Sequence, residues 1–301
     1  MKFLKKYSWI WLILLGIWLT IELFYRCIPN NYSEKSDRIS VIKDSIQVLI
    51  SGNSHALYGL NPDYFEMPTY NLSQVSQTLY FEELVLQKHL PDFKNVHSLI
   101  LNISYFTLSQ KDFTAEDVFR RYYYHAFMDI TDSEMTPWDP KRYSLALTRE
   151  WKHTWRFMKQ AIKKGTLVNC NLNGFGNDYI GQNITLTDES IQHLGLRHED
   201  GLLDFSINLE RLKNISELCK SQNTQLILVS LPVSPRYYQQ MNIQKWQLIH
   251  EQLEAFASTS GTIYFNLLQF DGVEEEDFYD PDHLNQQGAK KISTWLNSKL
   301  P

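Results

Sequence analysis

Apolar residues in this chain come in short blocks separated by longer periodic stretches. Residues 46–51, 98–103, 225–231 and 262–266 are runs rich in Ile, Leu and Val, the composition of strands buried on both faces. Between and after them, helical spacing is found around 79–89, 207–221, 244–256 and 286–300. Strands alternating with helices predict an α/β domain with a mostly parallel sheet. Ligands of such sheets sit at the carboxyl ends of the strands. Polar residues just after each apolar run are therefore the first candidates for chemistry.

The N-terminus follows a different pattern. Lys2, Lys5 and Lys6 precede Y-S-W-I-W-L-I-L-L-G-I-W-L-T-I-E-L-F-Y, an apolar run interrupted only by Glu22. Crossing the hydrocarbon core takes about 20 helical residues, and the run reaches that if Glu22, Tyr25 and Arg26 lie at the far interface. The lysines predict a cytoplasmic N-terminus, with the rest of the chain outside the cell membrane. No small-x-small cleavage site follows, so an uncleaved anchor is expected ahead of a removed signal peptide. Residues 1–27 are accordingly read as stub and anchor, with a bilayer contact through 8–25. Residues 28–40 are read as a polar linker, and 41–301 as one α/β domain.

The stretch 107–200 breaks the alternation. It is long, aromatic and irregular, and is expected to be an insertion beside the functional edge of that domain. Within it, Leu147, Trp151, Trp155, Met158 and Ile162 share a helical face, flanked by Arg149, Lys152, Arg156, Lys159, Lys163 and Lys164. Such a helix can lie on a membrane surface. The expectation is the commoner case, in which the Trp stripe packs on its own domain and the basic face is solvated.

Composition narrows the classes. A formal net charge of −5 argues against nucleic acid as a partner. Cys27, Cys170 and Cys219 are widely spaced without a CxxC pair, so neither a disulfide framework nor a metal site is expected. The histidines lack ligand spacing, and no metal or cofactor is predicted. N-G-F-G-N-D at 173–178 lacks the Lys-Ser/Thr of a phosphate loop. The run E-E-E-D at 274–277 is read as a solvated loop.

Two segments carry candidate chemistry. L-I-S-G-N-S-H at 49–55 runs a strand straight into Ser54, and D-P-D-H-L-N at 280–285 places Asp280 three residues before His283, with a helix following. A nucleophilic Ser needs a base, and the base needs an orienting carboxylate. Asp280 is the first candidate for that carboxylate, and Asp282 the second. His55 either contacts substrate or packs at the helix start.

Together, G-N-S-H after the first strand and D-x-D-H-L-N-x-x-G before the last helix resemble the SGNH (GDSL-like) hydrolase superfamily. More specifically, they resemble its membrane-anchored bacterial cell-envelope members. The resemblance covers roughly residues 44–104 and 222–299. It implies a flavodoxin-like three-layer α/β/α sandwich and a Ser54–His283–Asp280 triad. Ser76 falls about where the family's oxyanion Gly stands, and Asn102 or Ser104 about where its Asn stands. Asn53, His55, Ser104 and Asp282 are possible substrate contacts. The implied activity is that of an esterase or an O-acyltransferase on an acylated envelope glycan or related small ester, with a membrane acyltransferase as a possible partner. The departures in the middle blocks leave an alternative: a catalytically silent binding or assembly subunit of an envelope polysaccharide system.

Overall fold

The computed structural model describes residues 8–112, 118–181 and 187–300. In chain order its helices and strands are α1 (Ser8–Cys27), α2 (Asn31–Ile42), β1 (Val48–Ser51), α3 (Ser54–Gly59), β2 (Thr69–Asn71) and α4 (Leu79–His89). Next come β3 (Ser98–Asn102), α5 (Arg120–Met128), α6 (Trp151–Lys164), α7 (Asp188–His198), α8 (Ser206–Ser221) and β4 (Gln225–Ser230). The chain ends with α9 (Pro235–Tyr238), α10 (Ile243–Ser260), β5 (Ile263–Asn266), β6 (Phe278–Asp280), β7 (His283–Leu284) and α11 (Gln286–Asn297).

Five parallel strands form one sheet in the order β2-β1-β3-β4-β5, the doubly wound, flavodoxin-like order. All four expected strands are present. The fifth, β2, is three residues long and lies just after Pro68, too short to give an apolar run. Register puts Ile50, Ile100 and Ile227 in one row. With Val48 and Val229 they pack against Ala56 and Leu60 near α3 and against Ile292 and Leu296 of α11. Leu49, Leu99 and Leu226 point to the opposite face, as strand alternation requires, and α4 packs on α8. Helices thus cover both faces of the sheet.

The chain groups into two compact units, 38–112 with 170–301 and 1–37 with 113–169. This corrects the expected single insertion: 170–200 belongs with the sheet, whereas 113–169 gathers with the N-terminal helix. The reason is aromatic. Tyr25 and Tyr32 meet Tyr123 at 6.3 and 5.6 Å between ring centres, and Tyr32 meets Tyr124 at 4.9 Å. The expected linker is also corrected, because residues 31–42 are helical. Asn30 starts that helix, its Oδ1 accepting from the Tyr32 and Ser33 amides at 3.0 and 3.2 Å.

Among the described residues, α1 is the one helix long and apolar enough to cross a membrane. Its apolar side chains from Trp9 to Leu15 are exposed.

Candidate active site

Ser54 sits where β1 gives way to α3. Gly52 makes the turn with φ +140°, and a Cβ there would lie 3.0 Å from the Asn102 Cβ. Only glycine accepts both the angle and the crowding. Asn53 caps α3, its Oδ1 accepting from the His55 amide at 3.0 Å. Ser54 is thereby the first helical residue, and its own N–H stands outside the helical ladder.

The base arrives on the β6–β7 turn. Asp280 Oδ1 accepts from the Asp282 and His283 amides at 3.2 and 2.9 Å, closing the turn around its own side chain. His283 Nε2 lies 2.8 Å from Ser54 Oγ, and Nδ1 lies 2.9 Å from Asp280 Oδ1. The structure therefore brings Ser54, His283 and Asp280 into one hydrogen-bonded line. Asp277 fastens the turn from below: it is fully buried, and its carboxylate takes Lys291 Nζ at 2.6 Å and the Glu274 amide at 2.8 Å. The acidic run is therefore solvated only at Glu274, Glu275 and Glu276, a correction to the loop reading.

Asp282 has a position of its own. It is 3% exposed; Oδ1 lies 3.1 Å from His283 Nδ1, and Oδ2 takes His55 Nε2 at 3.2 Å, with His198 Nδ1 3.8 Å away. Burial opposes charge on Asp282, yet His283 and His55 hold its carboxyl well below the ordinary range. Burial also disfavours the charged His283 ring, but Asp282 and Asp280 outweigh it and hold His283 above its ordinary value. Burial raises Asp280, with the neighbouring Asp282 charge adding to it. His55 is pushed down by burial, against its bond to Asp282. A neutral His55 donates its Nε2 proton to that carboxylate. His55 and Asp282 are both buried, and each is held by the other, with Asp282 also against the His283 ring.

His55, Asp282 and His283 are the one group of three metal-capable side chains among the described residues. Both imidazoles aim a nitrogen at the same carboxylate, His283 Nδ1 at 3.1 Å and His55 Nε2 at 3.2 Å.

The oxyanion candidates part ways. Asn102 is 1% exposed, and its Nδ2 donates to Asn53 Oδ1 at 3.0 Å and Ser104 Oγ at 2.9 Å. Both its protons are committed. The buried Ser104 hydroxyl also takes Asn53 Nδ2 at 3.0 Å. Asn53, Asn102 and Ser104 thus form a buried network that braces the nucleophile turn, in which Asn102 Oδ1 alone takes no hydrogen bond. Ser76 is half-buried with φ +54°, a left-handed backbone that ordinarily favours glycine. Its loop is held beside the turn by the Gln74 amide on Gly52 O at 3.1 Å and by Gln77 Nε2 on Glu82 at 2.5 Å.

Sequence reasoning missed His198 and three tyrosines. Phe106 packs between His198 and His55, at 4.6 and 5.7 Å between ring centres. The end of α7 is pinned by the buried Lys245, whose Nζ takes Asp200 at 2.6 Å. Tyr179 stacks on Tyr58 at 3.7 Å and on Tyr279 at 4.0 Å, and stands edge-on to His283 at 5.3 Å. The signal was N-G-F-G-N-D-Y. Gly174 and Gly176 let that segment close in where a Cβ would lie 2.0 Å from Asn71 O and 2.4 Å from the Tyr58 ring. Two sizeable cavities, of about 630 Å³ beside Thr69 and about 770 Å³ beside Trp295, include neither Ser54 nor His283.

No protein-family model matches the chain, and no curated protein matches it in sequence. Among solved structures it is similar to a GDSL-like lipase from Bacteroides thetaiotaomicron, with 12% identity over 89% of this chain and 96% of that one, at TM-score 0.44. A provisionally named acylhydrolase from Bacteroides fragilis shares 10% identity over 88% and 92%, at TM-score 0.44. A carbohydrate acetylesterase from Sinorhizobium meliloti shares 10% over 84% and 97%, at TM-score 0.38. At these values the likenesses decide neither family nor activity.

Proposed function

We propose that this chain is a membrane-anchored serine esterase or O-acyltransferase of the SGNH (GDSL-like) type, acting on an acylated cell-envelope glycan or related ester. One observation carries the reading: Ser54 Oγ, the His283 ring and Asp280 are joined at 2.8 and 2.9 Å on the carboxyl edge of a parallel sheet. Ser54 attacks the ester carbonyl while His283 Nε2 takes its proton. Asp280 holds the tautomer and stabilises the imidazolium. The Ser54 and Ser76 N–H groups face the developing oxyanion. His283 then protonates the departing alkoxide, leaving an acyl-Ser54. Water completes an esterase cycle, and an acceptor hydroxyl a transferase cycle. Lys2, Lys5 and Lys6 favour a cytoplasmic N-terminus for α1 and an extracytoplasmic site. In that setting the acyl donor of a transferase cycle would be a membrane acyltransferase partner.

A second reading, a silent SGNH-like binding or assembly subunit, is favoured by the committed Asn102 amide, since losing one oxyanion donor costs roughly 10²–10³ in rate. Detergent-solubilised full-length protein should hydrolyse a chromogenic acetyl ester and take a fluorophosphonate on Ser54, with both lost in Ser54→Ala. Labelling without hydrolysis would indicate a transferase. Neither, in folded protein, would leave the silent subunit.

A further inference from the structure

The Trp stripe on α6 is not packed on its own unit. Trp151, Trp155 and Ile162 are 60%, 47% and 83% exposed, whereas Thr154 and Ala161 are buried. At 3.6 residues per turn the three exposed residues share an arc of about 40°. Lys152, Arg156, Lys159 and Lys163 occupy the adjoining arc, all exposed. Upstream, the exposed Tyr143 and Leu147 extend the apolar surface. Single exposed apolar residues are ordinary, but a contiguous stripe beside a basic flank is not.

The contacts of α1 say what covers it. Its lower turns are bare, but its last ones are held. Trp18 Nε1 donates to Ser144 Oγ at 3.0 Å, and Glu22 Oε2 accepts from Ser144 Oγ and the Ala146 amide at 2.8 and 2.9 Å. Tyr25 OH meets Thr154 Oγ1, on the first turn of α6, at 2.9 Å. From Ser8 to Leu23, a helix rises only about 24 Å at 1.5 Å per residue, against about 30 Å of hydrocarbon. A bilayer spanned by α1 must therefore reach the level of residues 143–154.

We propose that α6 lies in the outer interfacial layer of the bilayer that α1 spans. Trp151, Trp155 and Ile162 enter the headgroup–acyl boundary, and the basic flank rests on anionic headgroups. The placement rests on the reading of α1 as a spanning helix, and the test separates the two. Full-length protein carrying Cys27→Ser leaves Cys170 and Cys219, both buried. Single cysteines are introduced as Ile162→Cys, Ile13→Cys or Glu251→Cys, spin-labelled, and reconstituted into phosphatidylcholine–phosphatidylglycerol vesicles. Collisions with oxygen and with a water-soluble nickel chelate report depth. Labels at 13 and 162 should both be several-fold less accessible to nickel than the label at 251, an exposed position on α10. A buried label at 13 with an aqueous one at 162 would overturn the docking proposal and leave the anchor standing. Aqueous labels at both would overturn the anchor as well.

Discussion

At the scale of single residues, two carboxylates share one imidazole, and geometry divides their work. Asp280 receives His283 Nδ1 at 2.9 Å and also ties the turn that carries it. Asp282 lies behind the ring, buried, and is shared with His55. His283 accepts a proton only when neutral, and its value is held above the ordinary 6.5 by both acids against burial. The acid limb of kcat/KM is therefore expected above pH 6.5. Asp282→Asn removes one of the charges that raise the ring, so the limb should move to lower pH; an unmoved limb would exclude Asp282 from setting it. Asp280→Asn should instead cost roughly 10⁴ in kcat, the scale known for a lost tautomer anchor in a serine protease. Ser54, Asp280 and His283 were legible because each sits in a local pattern, a strand end or a side-chain-closed turn. The Asp282–His55 bond joins residues 227 positions apart, and His198 has no local marker at all.

At the scale of elements, helix caps and glycines place the site. Asn53 and Asn285 cap α3 and α11, the helices that leave either side of it, and both caps are visible as Asn before an apolar period. The segment around Gly174 is different, because its value lies in what it approaches. The Asn71 amide donates to Asn173 O at 3.0 Å and the Gly176 amide to Leu57 O at 2.9 Å, so this strap bridges β2 and α3 and delivers Tyr179 to His283. Gly174 has φ +85°, and its missing Cβ would sit 2.0 Å from Asn71 O. Gly174→Ala should destabilise by about 2 kcal/mol or more, read as a lowered denaturant midpoint, and should raise KM if Tyr179 lines the ester's path. An unchanged midpoint would mean the strap yields freely. The paired glycines at 174 and 176 mark a close approach in the sequence, but not what is approached, since the partner residues lie about a hundred positions upstream.

At the scale of the whole molecule, the boundary that matters does not follow chain order. Residues 1–37 and 113–169 share one core, while 38–112 and 170–301 share another. The apolar N-terminal run and the strand–helix alternation were both legible. What sequence periodicity could not show was that 113–169 completes itself around Tyr25 and Tyr32, which are 1% and 7% exposed. That arrangement makes a plain truncation risky. A chain starting at residue 38 loses Tyr25, with its bond to Thr154 and its packing on Tyr123. It also loses Tyr32 against Tyr124 and the Glu22 carboxylate that caps Ala146. Each large aromatic removed from a core costs about 3–5 kcal/mol, so losing both removes a large share of the roughly 5–15 kcal/mol that holds a folded domain. The sheet unit keeps its own rows of Ile and Leu and its capped helices. Limited proteolysis of the 38–301 fragment should therefore cut within 113–169 much faster than in the full chain. Ser54 should still take a fluorophosphonate, because the triad is built wholly within the sheet unit. Protection of 113–169 in the fragment would mean that this segment holds itself together without the N-terminal helix.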